Sequence, residues 1–133
     1  MKYPKVTIIV LNFNGMQDTR RCLKSLLKTR YTYFEVIVVD NGSLRDEAKL
    51  LKKEFPDPKI QFVRLPKNLG FSGGNNLGIK YALEQGADYV LLLNNDTITD
   101  KNLIKELLQT LESNSNIGIV VPKIYFAKGF EYH

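Results

Sequence analysis

Two carboxylates stand out by where they fall. Asp40 ends the run FEVIVVD (34–40) and Asp96 follows DYVLLLN (88–94), so each acid sits where an apolar, β-branched run stops. Beside a low-dielectric core, a carboxylate is costly to hold unless something pairs with it. Backbone N–H groups, a cation or a ligand would each serve, and residue type alone leaves all three open. The neighbours are amides, glycines and hydroxyls: Asp40-Asn41-Gly42-Ser43 and Asn94-Asn95-Asp96-Thr97. Asn12-Phe13-Asn14-Gly15 and the longer stretch Lys67–Asn76 complete a set of four polar tips. Such residues suit turns and helix caps as well as ligands. Cys22 is the single cysteine and His133 the single histidine, which excludes a Cys/His zinc centre and leaves oxygen ligands for any metal. Without a histidine base, Cys22 reads as a packed thiol on the first helix. It has no disulfide partner, which fits a reducing, cytoplasmic compartment.

The tips need elements to hold them. Apolar runs at 6–13, 34–40, 60–65, 88–94 and 117–124 read as five strands. All but the third are nearly continuous in apolar residues, as strands covered on both faces should be. Helical patterns lie between them. Leu23, Leu26 and Leu27 mark the first. The second spans 44–55, with Ser43 as N-cap and Asp46 at the capping-box spacing. The third runs from Gly74 to Gln85, with Gly86 as the residue that ends it. The fourth follows Thr99 or Asp100 and carries the stripe Leu103, Ile104, Leu107, Leu108 and Leu111. Strict alternation of strand and helix implies a single domain of doubly wound, mostly parallel α/β sheet, with its ligand site beyond the carboxyl ends of the strands.

Composition bounds the remaining choices. The 133 residues are 44% hydrophobic and 25% charged, as in an ordinary globular domain, and no apolar run reaches the length of a membrane span. Met1-Lys2-Tyr3-Pro4-Lys5 leads directly into the first strand, with no signal peptide. The net charge of +5 is concentrated at the start. Residues 1–33 hold seven Lys/Arg against Asp18 alone, which reads either as a solvated helix face or as attraction to phosphates or an anionic membrane surface. Nucleic-acid binding through sheet aromatics is disfavoured, because helices would cover both faces. Neither G-x-x-x-x-G-K-[ST] nor a G-x-G-x-x-G after the first strand is present. Gly70, Gly73 and Gly74 follow the third strand instead, where backbone N–H groups at a helix start would meet an anion.

Taken together, VTIIVLNFNG, FEVIVVDNGS, NLGFSGGNNLGI and DYVLLLNNDT resemble the donor-binding half of a family 2 glycosyltransferase with the GT-A fold, over about residues 5–124. The NNDT and NLGFSGGNN variants resemble the rhamnosyltransferase-like branch, which builds bacterial surface polysaccharides. The resemblance implies that Leu11, Asn12 and Phe13 border the base and ribose of the nucleotide. It places Asp40 and Asn41 on the family's paired acids that read a pyrimidine, Gly70 in the glycine stretch, and Asn75 and Asn76 where the family often has Arg-Asn. That departure removes a cation. Asn94-Asn95-Asp96 falls on the D-x-D position, with Asp96 as ligand of Mg²⁺ or Mn²⁺ and Asn94 and Asn95 as donor contacts. The implied reaction is inverting transfer of a sugar from a UDP- or dTDP-sugar to a hydroxyl of a glycan or lipid-linked acceptor. The family's general base lies in an acceptor half, so the resemblance implies a base beyond residue 133 and a donor-binding part that transfers little by itself. Asn41 and Asn94 also fit a non-catalytic nucleotide-binding or regulatory module. Apolar surface left open by a missing half implies self-association. A nucleotidyltransferase would need a basic glycine loop after the first strand, which is absent.

Overall fold

The computed structural model describes residues 3–126. Four strands, β1 (Val6–Asn12), β2 (Phe34–Asp40), β3 (Ile60–Arg64) and β4 (Tyr89–Asn94), alternate with α1 (Met16–Leu26), α2 (Glu47–Glu54), α3 (Gly70–Glu84) and α4 (Leu103–Glu112). The sheet has the order β3-β2-β1-β4 and every pairing is parallel. Helices lie on both faces. Ile8, Val10, Val36 and Val38 pack beneath Cys22, Leu23 and Leu26 of α1, Leu51 of α2 and Ile104 and Leu108 of α4. The opposite face, Ile9, Ile37 and Val39, packs against Ala82 of α3. The doubly wound parallel sheet is therefore as the alternation of runs implied.

Chain order runs outward from β1 through β2 to β3, then returns to place β4 on the other side of β1. The direction of winding reverses between β1 and β4, which makes that gap the topological switch point. Asn12 and Asn94 close the two strands there, one residue out of register, since Leu11 pairs with Asn94.

Three local expectations are corrected. Ser43 is not the cap of α2. Asp46 is, accepting the Lys49 N–H at 2.9 Å, and Ser43 is drawn into the sheet edge by Asp40. The third helix begins at Gly70, four residues before Gly74, despite the poor helix propensity of glycine. Side chains of neighbouring loops satisfy its opening N–H groups: Asn41 Oδ1 takes Leu69 N at 2.9 Å and Asn68 Oδ1 takes Gly70 N at 2.7 Å. Its glycines are needed for packing, since a Cβ on Gly78 would lie 2.5 Å from Ile9 Cγ2 and one on Gly74 would overlap Leu11. Gly86 ends the helix as expected, with φ +76.

The third correction concerns 117–124, which form no strand. Ile119, Val121 and Ile124 are exposed, although Gly118 to Val120 border an apolar cleft of about 240 Å³ with Leu91, Leu107 and Leu111. A strand is a pairing, and an apolar run cannot report whether a neighbour pairs with it. Among the described residues β4 accordingly ends the sheet, and Leu92 is 46% exposed because α3 lies mainly over β1 and β2. β4 is thus not buried on both faces. No helix among the described residues is long and apolar enough to cross a membrane.

Candidate functional site

The tip of β1 carries the hub. Asn12 is fully buried, and its amide nitrogen reaches Glu47 Oε2 at 2.8 Å, with Asp40 Oδ1 and Ser43 Oγ each at 3.4 Å. Its Oδ1 accepts from the Thr19 hydroxyl at 2.7 Å. Asp40 is also fully buried. Oδ1 accepts from the Ser43 backbone N–H at 3.2 Å and from the Ser43 hydroxyl, and Oδ2 accepts from Ala48 N at 3.3 Å. Of the partners open to this acid, backbone N–H groups and neighbouring side chains supply the answer, and its lone pairs point into the protein.

Asn41 is equally occupied. Its Nδ2 donates to Asn68 Oδ1 at 2.9 Å and Gly70 O at 3.0 Å, while its Oδ1 accepts from Leu69 N. It fastens the β2 tip to the start of α3. Gly42 permits that junction, with φ +77 and no room for a Cβ, which would lie 2.5 Å from the Lys67 carbonyl carbon. Contact of Asp40 or Asn41 with a nucleobase therefore requires this junction to open. Leu11 packs half-buried against α3 at Gly74, whereas Phe13 stands 48% exposed at the β1 tip. Asn14 beside it adopts a left-handed φ of +51 and ties the first two tips together. Its N–H donates to Ser43 Oγ at 2.8 Å and its Oδ1 accepts from Leu44 N at 2.9 Å.

Asn75 is buried within α3 and donates to Phe71 O at 3.0 Å, while Asn76 is exposed on the same helix. The opening N–H groups of Leu69 and Gly70 are already taken, so those two are not free for an anion.

Across the switch point lies the tip of β4. Asn94 is exposed, and its carbonyl accepts from the Thr97 hydroxyl at 2.7 Å, closing a turn. Asn95 folds back toward α1 and donates to Thr19 Oγ1 at 3.0 Å. Asp96 faces solvent, and among the described residues nothing hydrogen bonds to or ion-pairs with its carboxylate. The two acids that share this edge thus differ completely: Asp40 is spent inside and Asp96 is free. Nor does the edge gather a ready cage. Among the described residues no group of three or more His, Cys, Asp or Glu could hold a metal. A single exposed carboxylate with amide oxygens beside it suits a hard cation such as Mg²⁺ or Mn²⁺ that arrives with phosphate oxygens and waters. It does not suit one bound by protein alone.

Residue types did not point to Thr19 or Glu47, which complete the hub with Ser43. One signal was available for Thr19. With Cys22 and Ser25 it forms a small, mildly polar row at i, i+3 and i+6 on the buried side of α1, where leucines would otherwise be expected. The apolar cleft near α4 lies away from this edge, and Asp88 and Tyr89 are the polar side chains of its lining.

A parallel doubly wound sheet with polar tips and a free acid at its switch point defines an open α/β class whose ligands bind beyond the carboxyl ends of the strands. The family model for glycosyl transferase family 2 matches residues 7–133, and the chain belongs to that family. It is 32% identical over 125 residues to the low-salt glycan biosynthesis hexosyltransferase Agl10 of Haloferax volcanii, covering 93% of this chain and 38% of the relative. It is 28% identical over 115 residues to the poly-beta-1,6-N-acetyl-D-glucosamine synthase of Staphylococcus aureus strain COL, covering 86% and 27%. Less than two fifths of either relative is thus spanned. Among solved structures, S. aureus TarS 1-349 in complex with UDP-GlcNAc superposes with a TM-score of 0.73 at 23% identity, covering 90% of this chain and 37% of that one. The mannosyltransferase PcManGT of Pyrobaculum calidifontis, in complex with GDP-Man and Mn²⁺, gives 0.72 at 20% identity, covering 84% and 33%. The GT-A fold expected from the four motifs is the fold observed.

Proposed function

We propose that this chain is the donor-binding part of a metal-assisted, inverting glycosyltransferase of the hexosyltransferase type. It takes a nucleotide-diphosphate sugar and serves transfer to a hydroxyl of a glycan or lipid-linked acceptor in cell-surface polysaccharide synthesis. The observation that carries the reading is the free Asp96 carboxylate at the β1/β4 switch point, beside a hub that takes up Asp40 and Glu47. Similarity to Agl10 and to the poly-N-acetylglucosamine synthase supports the glycan side, and the nucleotide sugars bound to the structural neighbours support the donor class.

In this reading Phe13 flanks the base, while Asn12, Asp40 and Asn41 hold the walls of the base pocket from behind. Asp96 holds Mg²⁺ or Mn²⁺, and Asn94 and Asn95 are polar groups toward ribose or sugar. The metal, when bound, neutralises charge developing on the departing diphosphate. Asp46 is engaged by Arg64 at 3.2 Å and by Lys49 N, and Glu47 by Asn12. In this reading the base that deprotonates the acceptor lies outside the described residues, in an acceptor-binding part. Among the described residues of the basic stretch 1–33, Lys24, Lys28 and Arg30 are the exposed cations open to an anionic membrane surface, because Lys5, Arg20 and Arg21 are already ion-paired.

Calorimetry of UDP, dTDP and GDP with and without Mn²⁺ tests the reading. One nucleotide should bind only weakly alone, tighten with Mn²⁺, and lose that gain in Asp96→Ala. Tight Mn²⁺ binding without nucleotide would contradict it. Asn41 and Asn94, amides where the family has acids, favour a second reading as a non-catalytic module. Nucleotide binding indifferent to metal would select that one.

A further inference from the structure

α1 does more than cover the sheet. Three side chains on its buried side, one helical turn apart, meet the chain leaving β4 at successive points. Thr19 Oγ1 accepts from Asn95 Nδ2 at 3.0 Å. Cys22 Sγ lies 3.9 Å from Asn94 O. Ser25 Oγ accepts from Thr99 N at 3.1 Å. Beyond the helix, Arg30 N donates to Lys101 O at 2.9 Å. Residues 94–101 are thereby held against α1, with Asp96 between the points anchored at Asn95 and Thr99.

Thr19 is the anchor that also reaches the tip of β1. It is fully buried, donates to Asn12 Oδ1 at 2.7 Å and accepts from Asn95. A single hydroxyl has one proton to give, so this geometry assigns it to Asn12 and leaves a lone pair for the Asn95 amide. Both amides are oriented in consequence, and the β4 tip becomes coupled to the hub holding Asp40, Ser43 and Glu47. Gly15 leaves the space this needs: a Cβ there would lie 2.7 Å from Asn95 Nδ2. Its φ of −124 is one any residue adopts, so close passage of the Asn95 side chain, not backbone conformation, is what calls for glycine.

We propose that Thr19 is a positioning residue for Asp96: through Asn95 it fixes the β4 tip so that the neighbouring carboxylate meets a divalent cation carried by a nucleoside diphosphate. The inference rests on the donor-binding reading above. Because Asp96 has no partner of its own among the described residues, its direction is set by the backbone of a turn, and Asn95 is the adjacent side chain that anchors that turn. Groups that orient a metal ligand from behind it commonly change metal affinity by about 10–100-fold when removed.

The test uses the 133-residue chain and whichever of UDP, dTDP and GDP binds most tightly in the presence of Mn²⁺. Thr19→Val keeps the shape and removes the hydroxyl. It should reduce the Mn²⁺-dependent gain in nucleotide affinity about tenfold, well beyond any change in metal-free affinity. Thr19→Ser should restore the gain. Gly15→Ala displaces the Asn95 amide with Thr19 intact, and should reproduce the Thr19→Val effect if that variant fails to fold. A loss spread equally over metal-free and metal-dependent binding would reduce Thr19 to a structural role and overturn the proposal. So would an unchanged Mn²⁺ gain in folded Thr19→Val or Gly15→Ala. If the parent chain itself shows no Mn²⁺-dependent nucleotide binding, both this proposal and the donor-binding reading fall. Failure in the variants alone sinks only the former.

Discussion

Asp40 and Asp96 show how little residue type says about a carboxylate's job. Both follow apolar runs and both have amide neighbours, yet one is enclosed and the other stands in solvent. Removing Asp40 strands donors from Asn12, Ser43 and Ala48 in a buried place. Asp40→Ala should lower the unfolding free energy by about 2–4 kcal/mol, read as a shift of the urea midpoint. Asp96→Ala, by contrast, should leave the midpoint unchanged while abolishing the Mn²⁺-dependent gain in nucleotide affinity. Cys22 offers a pH-dependent check. Burial pushes its thiol up to about 11, with the Asp96 charge adding to the rise. The folded state keeps the proton after an unfolded thiol, near 9.0, has lost it, so this contribution to stability is complete below that pH and lost on approach to about 11. Urea midpoints should therefore fall more steeply between these values in the parent than in Cys22→Ala.

Among the elements, α3 is the one most shaped by its neighbours. Adding a methyl to a mid-helix glycine raises helix propensity by about 1 kcal/mol, whereas forcing extra volume into a close-packed contact costs about 1–3 kcal/mol. Overlap with Ile9 decides the sign at Gly78, so Gly78→Ala should destabilise the fold in a urea melt. Gly118, which has nothing within 4 Å of its Cβ position, should accept alanine without a measurable shift. β1 and β2 were readable from their β-branched runs because burial on both faces leaves few polar positions. The start of α3 was not, because its opening N–H groups depend on Asn41 and Asn68, which reach it from elsewhere or from outside the helix. Thr19 was hidden for a similar reason: its partners are Asn12 on β1 and Asn95 beyond β4, the latter 76 positions away.

The whole molecule is unevenly covered. β3, β2 and β1 are wrapped by helices, while among the described residues the outer edge of β4 is unpaired, and Leu92 and Ile119 are exposed beside it. An open parallel edge beside apolar surface is a template for association. Sedimentation velocity of this 133-residue chain should show concentration-dependent self-association at micromolar protein, reduced in Leu92→Lys. Monomeric behaviour across that range would mean the exposed surface is too discontinuous to pair.

By itself the amino-acid order determined the alternating parallel architecture, the four polar tips and the family to which they belong. Periodicity and turn chemistry are local properties, and they survive without knowledge of neighbours. Only the tertiary structure decided which acid is free, that 117–124 stay unpaired, and that α1 reaches across to hold the β4 tip. Each of those is a relation between distant segments, set by which hydrogen-bond partners and packing surfaces the fold brings within reach.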